Sequence, residues 1–358
     1  MLPPAPHQEL SLVVPVLNEA ATLAPLFATL APQQDVSFEL VICDGGSVDG
    51  TVPRAHSLAG EAPFPVTVIG TAPGRGRQMN AGARAARSGV LLFLHADSRF
   101  PEPTALRDAL TAFSAAPSPA TAGRFRLRFD RATAAPSLPW YFYEWKARLQ
   151  RPGCIHGDQG LLVRRSWFDD LGGFDESDPV LEDVRLAEKI AARGSWLLLP
   201  AEIATSDRRF AVEGLRERQT LNALLMNFAA IGWGDGVREL VAGYRSQSQA
   251  QGLRLGPILC RIAGQIAVLP QAERRRLWLA TGGFVRANAW QLPLLLDVRR
   301  QFRRGAPVGT GALPLLALHD RWFDRLTDNR AGRAAAALLT WLWFRLTLAV
   351  ECRRAAAP

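Results

Sequence analysis

The residues with the clearest capacity for chemistry are carboxylates placed where apolar runs stop. Leu91 to Leu94 is a short apolar run that ends abruptly in His95-Ala96-Asp97-Ser98. Phe38 to Cys43 ends in Asp44 followed by two glycines, and Leu10 to Val16 leads into Leu17-Asn18-Glu19. A short apolar run closed by polar residues reads as a strand buried on both faces. Ligands of open α/β sheets sit just beyond the carboxyl ends of such strands. Asp97 is therefore placed to hold a divalent cation against a bound phosphate, and Asp44 to accept hydrogen bonds from a base or a ribose.

A second acidic pair, Glu182-Asp183, precedes a helical pattern from Val184 to Arg193 that Gly194 stops. A carboxylate in the first turn of a helix stays ionised and is fixed in direction, which suits a general base. Arg75, Arg77 and Asn80 follow a third apolar run (Pro65 to Thr71) and lead into an alanine-rich helix, where a guanidinium and helix-end N–H groups can face phosphates.

The elements behind these residues follow from the spacing. Apolar runs at Leu10–Val16, Phe38–Cys43, Pro65–Thr71 and Val90–Leu94 alternate with helix-length spacers, which predicts βαβ units and a parallel sheet. No GxGxxG follows the first strand, which disfavours a dinucleotide-binding dehydrogenase, and no GxxxxGK[ST] occurs.

Taken in order, VVPVLNEA (13–20), DGGSVDGT (44–51), RGRQMNAGA (75–83), LFLHADS (92–98), GDQGLLVRR (157–165), GGFDE (172–176) and Glu182-Asp183 resemble family-2 glycosyltransferases. RGRQMNAGA and GDQ look most like a bacterial rSAM/selenodomain-associated subgroup. The resemblance spans roughly residues 8 to 234. It implies the α/β GT-A fold, mostly parallel and flanked by helices, with a further α-helical region over 235–358.

The activity implied is inverting transfer from a nucleotide-diphosphate sugar, a UDP-sugar above all, to a hydroxyl acceptor. By resemblance Asp183 is the base with Glu182 beside it, and Asp97 binds Mg²⁺ or Mn²⁺. Pro15, Asn18, Glu19, Asp44, Arg75, Asn80, His95, Ala96, Asp158 and Arg208 surround the donor. The family usually carries a carboxylate where this chain has His95, so three roles stay open for that residue: ribose contact, metal contact, or packing. Two other readings compete, a nucleotidyltransferase and a non-catalytic sugar-nucleotide-binding scaffold docked to a membrane. The first would want a Gly/Lys-rich opening loop that Pro15 to Ala20 does not offer.

Composition bounds the rest. The 358 residues are 48% hydrophobic and 21% charged, as in a folded protein. Cys43, Cys154, Cys260 and Cys352 are far apart in sequence and suggest neither a zinc site nor a disulfide framework, which fits a reducing, cytoplasmic setting. The start, MLPPAPHQEL, lacks the pattern of a signal peptide.

The net charge of +9 is unevenly spread. From Arg208 onward 23 arginines face 10 acidic residues, whereas the preceding residues carry 19 basic and 23 acidic ones. That asymmetry predicts an anionic partner for the rear half, an inner-membrane surface before a nucleic acid. Ala334 to Val350 is the most apolar run; it is short for a span and contains Arg345, so it is expected to be a buried or interfacial helix, with oligomerisation as an alternative.

Overall fold

The computed structural model describes residues 8–131, 135–177, 180–247 and 252–356; most of the start read above for a signal peptide, residues 1–7, lies outside them. The chain packs as two compact units, Met1–Ser206 and Asp207–Pro358.

The first unit opens with β1 (Leu10–Val16), α1 (Ala20–Leu30), β2 (Phe38–Asp44), α2 (Thr51–Glu61) and β3 (Val66–Gly70). It continues through α3 (Arg75–Ala85), β4 (Val90–Phe93), α4 (Ala105–Ser114), β5 (Thr121–Asp130) and α5 (Leu138–Lys146). A single 3₁₀ turn, Gly157–Gln159, leads to β6 (Leu161–Arg164), α6 (Arg165–Asp170), α7 (Glu182–Arg193) and β7 (Ser195–Ser206). The seven strands form one sheet in the order β3-β2-β1-β4-β6-β5-β7.

Neighbouring strands run parallel except around β6, which is antiparallel to both β4 and β5. This is the mostly parallel, helix-flanked GT-A sheet that the resemblance implies. Every residue of β2 is buried, and β1 is buried except for Pro15, because helices cover both faces. Val13, Val41 and Cys43 pack with Met79 of α3 and Leu186 and Ile190 of α7 on one of them. The carboxyl ends of β1, β2 and β4 therefore open side by side.

The second unit is helical: α8 (Arg208–Glu213), α9 (Leu215–Ala230), α10 (Gly234–Arg245), α11 (Leu255–Val268), α12 (Gln271–Ala287) and α13 (Gln291–Arg303). After α14 (Pro314–Leu318), one π turn (His319–Phe323) and α15 (Asp324–Thr327), it ends in α16 (Arg330–Ala356). Leu221, Leu224 and Phe228 of α9 join Leu240, Ile258, Ile262 and Phe344 in its core. The second unit thus starts at Asp207, ahead of residue 234 where the resemblance ends. Gly214 separates α8 from α9.

Two expectations change here. The apolar terminal run lies within a 27-residue helix, longer than its hydrophobic core suggested, and only 17% of its most apolar window is buried. By length and composition residues 330–353 could cross a membrane. Cys260 and Cys352, remote in sequence, are brought to 3.3 Å between their sulfurs.

Candidate active site

Asp183 sits in the first turn of α7, as the helical pattern implies. Its Oδ2 accepts the Gly157 N–H at 2.7 Å, and its Oδ1 accepts the Val184 N–H at 2.8 Å. Burial pushes this carboxyl up, yet His156, Arg75, the Gly157 N–H and His95 outweigh burial and hold it below the usual carboxylate range. Gly157 is what lets these groups converge. A β-carbon there would fall 2.8 Å from His95 Nε2 and 3.1 Å from Asp183 Oδ2.

His95, His156, Gly157, Asp183, Phe174 and Trp196 share the lining of one pocket of about 430 Å³, part of it open solvent. Glu182, beside Asp183, is buried and pairs with Arg75 at 3.3 Å. Burial raises its carboxyl and the neighbouring Asp183 adds to that, while Arg75 pulls the other way. Arg75 thus serves the carboxylate pair electrostatically, and its half-exposed guanidinium still reaches solvent at the head of α3.

His95, Ala96 and Asp97 lie just past the end of β4, after Leu94, with Ala96 buried and its two neighbours partly exposed. Asp158 lies on the 3₁₀ turn; its Oδ1 is sealed from solvent and has no hydrogen-bond partner. Burial, with Asp183 and Asp97 adding charge repulsion against the opposing pull of His156, pushes the Asp158 carboxyl up to about 6. Asp158 thus feels the charge of both Asp97 and Asp183. No three metal-ligating side chains converge among the described residues. The donor set fits a hard cation held by Asp97 with phosphate oxygens and water, the way Mg²⁺ is usually bound.

The remaining candidates are placed less directly. Pro15 lies in β1 opposite Cys43 of β2. Asn18 adopts φ 56°; its N–H donates to Ser47 Oγ at 2.8 Å and its Oδ1 accepts the Val48 N–H at 2.9 Å. The Glu19 N–H donates to Thr51 Oγ1, and its side chain accepts from the Thr22 hydroxyl. These contacts lace the loops after β1 and β2 together. Asp44 accepts the Gly46 and Ser47 N–H groups, so its demonstrated role is to shape its own turn.

Asn80 is a correction. It is buried in α3, where its Nδ2 donates to the Phe174 carbonyl and to Glu176, while its Oδ1 accepts the Phe174 N–H. Its amide is spent on the GGFDE loop and not on a phosphate. Arg208 heads α8, the first helix of the second unit.

Three residues, Gln78, His156 and Arg124, carry roles that their positions in sequence do not reveal, and Gly157 gains a specific one. Gln78, inside RGRQMNAGA, donates to the carbonyls of Val16 and Cys43, both at 2.8 Å, and so ties the ends of β1 and β2. His156, just before the GDQ motif, and Gly157, its first residue, complete the Asp183 surroundings. Arg124 is fully buried and donates to the Ala147 and Leu149 carbonyls and to Gln159 Oε1 at 2.9 Å. It anchors the 3₁₀ turn that presents Asp158.

Comparison with known proteins finds relatives for the first unit. Residues 11–172 match the model of glycosyl transferase family 2. The O-antigen chain rhamnosyltransferase RfbN of Salmonella typhimurium (strain LT2) is 24% identical over 203 residues, 54% of this chain and 64% of that protein, so the match spans less than two thirds of the relative. Among solved structures, the mannosyltransferase PcManGT of Pyrobaculum calidifontis, in complex with GDP-Man and Mn²⁺, aligns at a TM-score of 0.46 and 19% identity over 94% of this chain and 88% of its own. TarS 1–349 of S. aureus, in complex with UDP, aligns at 0.47 and 18% over 83% and 92%. The match to glycosyl transferase family 2 lies wholly within the first unit of this chain.

Proposed function

We propose that the protein transfers a sugar from a nucleoside-diphosphate sugar, with UDP-sugars as the donor class, to a hydroxyl acceptor with inversion at the anomeric carbon. The observation that carries this reading is Asp183. A carboxylate held ionised at a helix N-terminus, oriented by the Gly157 N–H, and lining a pocket is equipped to take a proton.

The acceptor hydroxyl gives its proton to Asp183 as its oxygen bonds to the anomeric carbon, and the bond to the diphosphate breaks on the opposite face. Each Asp183 oxygen already accepts one N–H, which fixes the carboxylate plane and leaves a lone pair for the incoming proton. Arg75 and Glu182 hold the charge around it. A divalent cation on Asp97 would supply charge neutralisation to the departing diphosphate. Asp44, Asn18 and Glu19, on loops laced to one another, form the floor against which the nucleotide lies.

The test uses Asp183→Asn and Asp97→Ala. Asp183→Asn keeps donor binding, seen as a Mn²⁺-dependent rise in melting temperature with a UDP-sugar, but loses donor turnover by two to four orders of magnitude, on the order of a general base. Asp97→Ala loses the Mn²⁺-dependent part of that rise. Full turnover in both variants would overturn the mechanism. Stabilisation by GDP- or dTDP-sugars in place of UDP-sugars would overturn the donor class alone.

A further inference from the structure

The two units differ sharply in what they show to solvent. Among the described residues, nineteen of the twenty-one exposed large hydrophobic side chains lie in the second unit, and the first unit has only Leu17 and Val48. The second unit is also the basic one: 23 arginines and no lysine against 11 acidic residues between positions 207 and 358. A monomeric soluble domain rarely leaves so much apolar surface in contact with water, so the face marks an interaction site.

The apolar face is built from two adjoining stretches of chain. On α16, Leu339, Leu342, Leu346 and Val350 recur at intervals of three and four residues and are each at least two-fifths exposed. The other side of the same helix is committed: Phe344 packs on Trp278 of α12, and Ala337 is buried. Gly282 of α12 meets α16 so closely that a β-carbon there would fall 2.3 Å from the Arg333 carbonyl. The helix is therefore a member of the bundle with one apolar face left uncovered. From α14 to α15, Leu318, Trp322, Phe323 and Leu326 are exposed in the same way.

Cations are interleaved with these aromatic residues. The Arg345 guanidinium lies 6.0 Å from the Trp341 ring centre, and that of Arg321 lies 5.3 Å from Trp322. Tryptophan, leucine and arginine along the broad exposed side of the helix form the composition that seats a helix in a lipid headgroup layer: the apolar groups enter the acyl boundary and the guanidinium groups at its margin meet lipid phosphates. A second copy of this chain would bring the same arginines together, an arrangement that like charge opposes.

We infer that the second unit docks on an anionic lipid bilayer, with the exposed face of α16 and the segment from α14 to α15 lying in the headgroup layer while α16 stays in its bundle. This is independent of the glycosyl-transfer reading, because vesicle binding needs neither donor nor acceptor.

The experiment is co-sedimentation of the full-length protein with phosphatidylcholine vesicles, with and without phosphatidylglycerol. Binding is expected with the anionic vesicles, falling as salt is raised. Arg345→Gln weakens it about fivefold, the effect of one basic residue near a charged surface. Leu339→Glu with Leu346→Glu abolishes it, and helical circular dichroism unchanged from wild type separates lost docking from lost folding.

Cys260 and Cys352 supply a second arm. Glutathione disulfide accepts two electrons and two protons from the two thiols, leaving a Cys260–Cys352 disulfide and two reduced glutathione molecules, and so ties α16 to α11. Oxidised protein is expected to bind vesicles as well as reduced protein does. Binding lost on oxidation would mean that α16 leaves the bundle to insert, and would overturn the interfacial arrangement. Equal binding to neutral vesicles, no binding at all, or a stable dimer burying this face would each overturn the proposal.

Discussion

Asp158 is the residue whose surroundings ask most of it. A carboxyl with one oxygen sealed and unpartnered, facing Asp97 and Asp183, is held at about 6 against an ordinary value of 3.8. The folded protein therefore binds more protons than the unfolded chain between those two values, and stability falls as pH rises through that window. Above pH 6 the full cost applies, about 3 kcal/mol for two pH units. Asp158→Asn removes the charge while keeping the shape. In chelator-treated protein, the variant is expected to gain on wild type from pH 4 to pH 8, read from urea midpoints. Parallel curves across that range would show that Asp158 carries no such strain. Asp183 has the opposite sign: its depressed carboxyl contributes stability above the unfolded value that is lost as the pH falls.

Among the elements, α3 does more positioning than binding. Gln78 ties the ends of β1 and β2, and Asn80 fixes both backbone groups of Phe174, so one helix sets the floor and one wall of the site. Asn80→Ala would leave the buried Phe174 N–H and carbonyl unpaired, at a cost of about 2 kcal/mol. It is expected to lower the denaturation midpoint and, by loosening the loop before α7, to reduce donor turnover more than donor affinity. A variant with wild-type stability would remove α3 from this role. The strands and α7 were legible because each is an apolar run or a helical period closed by a polar residue. Asn80 was not, since an amide at a helix start looks alike whether it faces a phosphate or a backbone. Arg124 was hidden by its own strand. Arg124, Arg126 and Arg128 alternate with apolar residues along β5, the pattern of a solvent face, and only the segment from Ala147 to Gln159 folding over the first of them buries it.

At the scale of the whole molecule, the chain divides its labour by composition. The near-neutral first unit gathers carboxylates at strand ends, and the arginine-rich second unit leaves apolar helices uncovered. The sequence carried that charge division plainly, but not which helix faces outward, because the apolar faces of α16 are alike until α11 and α12 cover some of them. The same packing brings Cys260 of α11 to Cys352 of α16, 92 residues apart, with both thiols exposed. Closing so long a loop restricts the unfolded chain, and loop-closure entropy puts the gain at about 4.6 kcal/mol. Treatment with glutathione disulfide is expected to yield one intramolecular bond, faster mobility on a non-reducing gel and a higher melting temperature. Cys260→Ser should lose all three, while Cys43 and Cys154, buried and with thiols pushed up to about 12 and about 11, remain reduced. Mixed disulfides with glutathione at both positions, and no rise in melting temperature, would show that α16 does not hold its place against α11.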